Sequence, residues 1–443
     1  MLLRLIINNF LSFYDPIEFN MFPNPKREFF QDHINTTASI PLLKQSIIYG
    51  ANGSGKSNFV KALWFLQSFL TKTDFLAHID IDEYVFQLAE VNKKAISFEI
   101  EIHYKDKYYL YTTSIAPDNN GKCNIKEELS ISGIGKEEDK TIFKRDNCKV
   151  ESDDIPEATR KILVNFLKKN HFASIVPLNQ QFPIISSNDL QNFHDWFRKE
   201  LSIITINSNV PGLIDMMSIN PQLFEYTREL LNELDITSSL AIKETPLDEW
   251  LSNKKNAQGI QDVLKKSQMP SNSQIAFLSD NRRNEFNITI KNGEKIVREF
   301  LFEQMGINGF HKQMKISSQS DGTVRLLTLL PAIYNATRGK VVFIDEIENS
   351  MHPNLILRLI KYYISKASKG QLIFSTHLTR FLDQDNLVRP DELWLVEKEN
   401  GSSRMRSFND FKIHRTINIE NGYINGRYGG VPKFSQVDTE ISE

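Results

Sequence analysis

The sequence predicts an α/β protein with a mixed or parallel core sheet, an antiparallel β subdomain and a helical insertion. Three observations carry that prediction. An apolar run, Ser46-Ile-Ile-Tyr49, leads into a glycine loop and then an amphipathic stretch from Asn58, which is strand, loop, helix. Short β-branched and aromatic pieces divided by turn clusters fill residues 84–131. From about Ser152 the composition shifts to helix formers with apolar spacing of three and four.

The loop Gly50-Ala-Asn-Gly-Ser-Gly-Lys-Ser57 fits G-x-x-x-x-G-K-[ST]. Glycine is needed at both ends because the backbone must turn tightly enough to aim successive N–H groups at phosphate oxygens. Asn52, Gly53, Ser54 and Gly55 then form the cradle, Lys56 reaches the β- and γ-phosphates, and Ser57 ligates Mg²⁺. The helix opening at Asn58 adds its positive dipole end. An ordinary glycine turn is the bland alternative, but a chance match in a chain this long is on the order of one to two in a hundred. The expected ligands are a nucleoside triphosphate and Mg²⁺.

With 443 residues the chain is long enough for two to three domains. It is 40% hydrophobic and 24% charged, as ordinary globular proteins are. A formal net charge of −2 gives no global basic signature, so any nucleic-acid contact is local. The two cysteines, Cys123 and Cys148, have no C-x-x-C spacing, which argues against a zinc hook or a disulfide framework and for a reducing cytosol. The start is apolar but broken by Arg4, Asn8 and Asn9, and reads as a strand; no membrane span is expected.

In order, Leu2–Asn8 and Ile17–Asn20 read as two strands around a turn, followed by the cradle strand and a helix to about Leu70. Tyr84–Leu88, Ala95–His103, Tyr108–Ser114 and Ile125–Ile131 read as an antiparallel sheet, with Asp118–Gly121 as one of its turns. Helical faces follow at Ala158–Lys169, Leu190–Leu201, Leu223–Leu234 and Asp262–Lys266. Lys254-Lys255 and Lys265-Lys266 are solvated helix ends before they are nucleic-acid contacts. Strands return at Gln274–Leu278 and Phe286–Ile290, with Lys291-Asn-Gly-Glu294 as a hairpin turn. The expected division is an N-terminal lobe over 1–150, the helical insertion over 151–272 and a C-terminal lobe over 273–443.

Val341-Val-Phe-Ile-Asp-Glu346 is a buried strand ending in two acids. An acid at the carboxyl end of a central parallel strand lies beside the cradle, so Asp345 is expected to hold the Mg²⁺ shell and Glu346 to orient the attacking water. Gln371-Leu-Ile-Phe-Ser-Thr-His377 starts 26 residues after Asp345, and a neighbouring strand would bring His377 to the same edge, near the γ-phosphate. A lone histidine is more often structural; its place after such a strand reverses that reading. Ser317-Ser-Gln-Ser-Asp-Gly-Thr323 precedes a helix, and Ser320, Gly322 and the first helical N–H groups form a second anion site whose cradle need not be in the same chain. Taken alone, Ser-Asp-Gly-Thr is simply a good N-cap.

With these motifs the chain resembles the ABC-type ATPase heads of SMC proteins and their double-strand-break-repair relatives. The resemblance implies two heads closing around two ATPs, Ser320 and Gly322 of one copy capping the γ-phosphate on Lys56 of the other. It implies Asp345 as the Walker B acid, Glu346 as catalytic base, Met351-His352 as D-loop, His377 as switch histidine and Gln87 as the Q-loop glutamine at Mg²⁺. Asp321 and Thr323 depart from the signature pattern, where a glycine and a glutamine are usual. More narrowly, Asn9–Ser12, Asp321–Ala332, His352-Pro353, Asp391–Lys398 and Tyr423-Ile-Asn-Gly-Arg-Tyr-Gly-Gly-Val-Pro432 look like the RloA/AbiLi group of bacterial anti-phage ATPases. That implies an abortive-infection role with a separately encoded effector, often a nuclease, and a homodimer or larger oligomer. The alternative is an SMC-like DNA-repair or DNA-tethering ATPase, against which the missing long coiled coil and zinc hook count. A built-in nuclease is not expected, since no clustered Asp-x-Asp with a partnering Glu follows His377. The glycines of the tail permit tight turns, while Tyr423, Arg427 and Tyr428 offer contacts to a partner or nucleotide, unless the tail merely folds onto its own domain.

Overall fold

The computed structural model describes residues 1–90, 95–117, 123–133, 138–181, 184, 188–206, 208, 212–253, 274–278, 284–366, 368–382, 387–411 and 418–430. Asp118–Gly121, Lys254-Lys255, Asp262–Lys266 and Val431-Pro432 lie outside the described residues. The chain divides into two compact units: Met1–Thr205 with Asn335–Ile347 and Tyr363–Glu443, and Ile206–Tyr334 with Glu348–Tyr362.

The first unit holds two large sheets. Among the described residues one has seven antiparallel strands, in the order Lys149–Glu151, Lys140–Asp146, Cys123–Ile131, Lys107–Pro117, Ile96–Tyr104, Leu2–Asn8, Ile17–Asn20. Ile96, Phe98, Ile100 and Ile102 point into the core, whereas Ser97, Glu99 and Glu101 stay half-exposed, the period-two pattern of a sheet with one wet face. The other sheet runs Leu201–Ile204, Val341–Ile344, Gln371–Ser375, Gln45–Tyr49, Leu393–Glu399, Ser402–Ser407. Its first five strands are parallel and the last is antiparallel. Val341–Ile344 and Gln371–Ser375 are buried at every position, as strands covered on both faces must be. The helix Lys56–Thr71 packs Phe59, Leu63, Leu66 and Phe69 inward. Phe19 ties both sheets together, its ring 5.2 Å from Phe59 and 5.0 Å from Trp394.

The second unit is built on an antiparallel sheet in the order Ser239–Pro246, Glu294–Met305, Asn284–Lys291, Gln274–Leu278, with His311–Lys315 also paired to Glu294–Met305. Asn292 and Gly293 take the left-handed conformations of a two-residue hairpin turn, with Lys291 opposite Glu294, as the Asn-Gly pair predicts. Among the described residues its helices are Leu213–Ile219, Pro221–Glu233 and Leu247–Ser252, together with one opening at Asp321 and one opening at Pro353.

The structure corrects three element assignments. Tyr84–Leu88 is not a strand: Ile81–Tyr84 is a 3₁₀ turn capped by the Asp80 carboxylate, and only Val85 forms a bridge, to Phe10. Leu190–Leu201 is not one helix: it ends by way of a wide turn at Trp196–Glu200, and Leu201–Ile204 joins the parallel sheet beside Val341–Ile344. Two consecutive isoleucines favour a pleated strand, and tertiary pairing overrides the helical spacing. Residues 151–272 are therefore not uniformly helical, since Ser239–Pro246 is also a strand. Lys140–Asp146 and Lys149–Glu151 extend the antiparallel sheet, where their charge hides the strand signal.

Candidate nucleotide-binding site

The loop strand ends at Tyr49 and the helix begins at Lys56, leaving a six-residue turn that wraps around Lys56. Gly53 and Gly55 have φ of 74° and 118°, in the left-handed region that L side chains resist. A Cβ on Gly50 would stand 2.4 Å from the Val396 carbonyl, and one on Gly55 would stand 2.5 Å from Ser403 Oγ. Lys56 is buried, and its ammonium donates to Gly50 O at 2.7 Å and Ala51 O at 3.2 Å. Ser54 Oγ is buried with no hydrogen-bond partner among the described residues. A buried ammonium, an orphaned hydroxyl and a turn that excludes side chains fit a polyanion.

The cavity at this turn, about 380 Å³, is lined by Asn52, Gly53, Ser54, Gly55, Lys56, Ser57 and Asn58 together with Glu346 and His377. Parallel pairing makes this convergence. Val341–Ile344 and Gln371–Ser375 run beside each other, and the latter runs beside the loop strand, so their carboxyl ends meet at one sheet edge. Asp345 is buried, its N–H donating to Ile204 O at 2.8 Å. Its Oδ1 accepts the Ser375 hydroxyl at 2.6 Å, and the same Ser375 Oγ accepts the Glu346 N–H at 2.8 Å. Glu346 has φ of 47°, a strained conformation that turns the chain toward the cavity edge. Ser375 was not singled out from the sequence, although it stands two residues before His377. His377 is exposed at the cavity, and the next carbonyl, of Leu378, accepts the Tyr49 hydroxyl at 2.9 Å.

The hydroxyl of Ser57 and the carboxylate of Asp345 are hard oxygen donors of the kind Mg²⁺ takes. Gln87 does not line this cavity. It is exposed, and its amide donates to Asp82 O at 2.7 Å and Val85 O at 3.0 Å, a local turn in place of the expected strand.

Ser320 and Gly322 belong to the second unit. Ser320 Oγ accepts the Thr323 N–H at 3.1 Å and bonds Thr323 Oγ1 at 2.9 Å, capping the helix that opens at Asp321. A Cβ on Gly322 would come within 2.8 Å of the Ser350 carbonyl, so glycine here permits contact with the segment before Met351 and His352. His352 Nδ1 accepts the Asn354 N–H at 3.2 Å at the start of the next helix.

The described part of the tail folds onto its own unit. The ring of Tyr423 lies 5.7 Å from that of Tyr49, and the Tyr423 hydroxyl donates to Gly430 O at 3.1 Å. Glu420 Oε1 accepts the Thr379 hydroxyl at 2.7 Å, beside the His377 segment.

Residues 46–383, more than half of the chain, match the family described as "AAA domain, putative AbiEii toxin, Type IV TA system". A Helicobacter pylori protein named ATP/GTP phosphatase is 23% identical over 365 residues, covering 78% of this chain and 83% of its own. Among solved structures, an Smc head bound to the C-winged helix domain of ScpA aligns with a TM-score of 0.43 at 14% identity, covering 92% of this chain and 99% of its own. The Thermotoga maritima SMC head domain aligns with a TM-score of 0.41 at 13% identity, covering 92% and 98%. The comparisons reach the broad family and do not single out the RloA/AbiLi group. Among the described residues no helix is long and apolar enough to cross a membrane. The chain belongs to the AAA-domain family described as "putative AbiEii toxin, Type IV TA system", and it is an ATPase.

Proposed function

We propose that this ATPase works as a head-to-head homodimer whose composite site is completed by Ser320 and Gly322 of the second copy, and that turnover gates a separately encoded effector, of the nuclease class, in bacterial anti-phage defence. The observation that carries the hydrolytic part is the single cavity gathering Lys56, Glu346 and His377. The defence part is supported by the toxin and toxin–antitoxin terms in the family description. The name of the Helicobacter pylori relative supports triphosphate hydrolysis.

In this reading the N–H groups of Asn52–Asn58 and the Lys56 ammonium hold the phosphates and stabilise charge as the γ-phosphoryl leaves. Glu346, at the cavity edge, orients the attacking water and takes its proton. His377 donates to a γ-phosphate oxygen. Ser57 and Asp345 would hold Mg²⁺, which when bound neutralises phosphate charge; Gln87 would have to leave its turn to take part. A reducing, cytoplasmic setting suits Cys123 and Cys148, neither of which forms a disulfide.

The test mixes two inactive variants. Lys56→Ala and Ser320→Arg proteins are each expected to lack turnover, whereas their mixture regains a fraction of it, because one of the two composite sites in a mixed dimer is intact. No recovery on mixing would rule out the shared site. Phage challenge of cells carrying Glu346→Gln together with the neighbouring gene then tests the defence role, with loss of protection expected.

A further inference from the structure

We infer that the nucleoside half of ATP sits in a second cavity, walled by the outer strands and the glycine turn of the tail; this rests on reading the Lys56 loop as the triphosphate site. The sheet order sets the direction. Glu346 and His377 follow the two strands on one side of the loop strand, which makes that side the γ-phosphate end. Leu393–Glu399 and Ser402–Ser407 lie on the other side, so a nucleotide held along the loop points its base and ribose there.

A cavity of about 1020 Å³ stands in that place and shares Asn52, Gly53 and Ser54 with the phosphate cavity. The exposed Ile424 offers apolar surface for a base, and Glu397 and Glu399 offer carboxylates for ribose hydroxyls. The tail forms its outer wall because only glycine can seat there. A Cβ on Gly429, at φ of 80°, would fall 1.4 Å from Glu397 Oε1, and one on Gly430, at φ of 71°, would fall 2.3 Å from Leu395 Cδ1. Arg406 pins the wall, donating to Glu397 Oε2 at 2.7 Å and Tyr428 O at 3.3 Å. The tail motif thereby gains a role that the phosphate chemistry leaves unassigned: it reads the nucleoside.

Calorimetric titration of the full chain with ATP and with inorganic tripolyphosphate separates the two halves. Ile424→Glu, at an exposed position, is expected to weaken ATP about tenfold and to leave tripolyphosphate unchanged. Equal weakening of both ligands, or none for ATP, overturns the placement. Photolabelling with 8-azido-ATP is expected to mark the peptide 418–430, and label found only on other peptides also overturns it. Lys56→Ala is expected to weaken both ligands; if it weakens neither, the triphosphate reading itself fails, whatever the tail does.

Discussion

Ser375 Oγ donates to Asp345 Oδ1 at 2.6 Å while accepting the Glu346 N–H at 2.8 Å. One fully buried hydroxyl thus fixes the carboxylate proposed for Mg²⁺ and the backbone of the acid proposed for the water. Ser375→Ala is expected to lower kcat about 10- to 100-fold with little change in KM, and Ser375→Thr, which keeps the hydroxyl, to restore most of it. A loss that tracks melting temperature alone, without rescue by threonine, would make Ser375 a packing residue only.

Glu346 reaches the cavity from a strained turn at φ of 47°, a conformation more costly than an ordinary loop residue adopts. Glu346→Gln is expected to cut hydrolysis on the order of 10²- to 10⁴-fold while ATP still binds. Steady-state turnover measured beside equilibrium binding checks this, and wild-type turnover would remove Glu346 from the chemistry.

Gly55 combines a φ of 118° with Ser403 Oγ and Ser12 Oγ at 2.5 Å and 2.9 Å from the place a Cβ would take. Gly55→Ala is expected to destabilise the protein by about 1–3 kcal/mol and to weaken ATP binding. Thermal denaturation and titration of the same sample measure both, and neutral behaviour in both would show that the loop relaxes freely.

His33 and Glu392 form a buried pair at 2.8 Å, and Gln45 donates to the other Glu392 oxygen at 2.9 Å. Burial alone would lower the His33 pKa, but the Glu392 charge and hydrogen bond override it and raise the group above its ordinary 6.5. Burial also holds the Glu392 carboxyl above its usual range. The His33 contribution is therefore complete below about pH 6.5 and is lost as pH rises through the folded-state value. His33→Gln is expected to cost about 3–5 kcal/mol at pH 6, with the gap to wild type narrowing toward high pH. Urea denaturation across pH measures this, and a gap that stays constant or widens would contradict the charged pair.

The sequence by itself determined the chemistry-bearing pieces. The glycine loop through Ser57, the Asp345-Glu346 pair and the strand before His377 were legible because each is a contiguous run whose local spacing dictates strand, loop or helix. What those pieces meet was decided only by tertiary structure. Leu201–Ile204 became a sheet strand through pairing with Val341–Ile344, Ser375 became the brace of both acids through parallel register, and Gln87 was taken up by its own turn. The tail glycines gained a place because residues 395 and 397 lie beneath them. Spacing along a chain sets local conformation, whereas which side chains converge depends on pairing between segments separated in sequence, by 30 residues for Asp345 and Ser375 and by 140 for Leu201 and Val341.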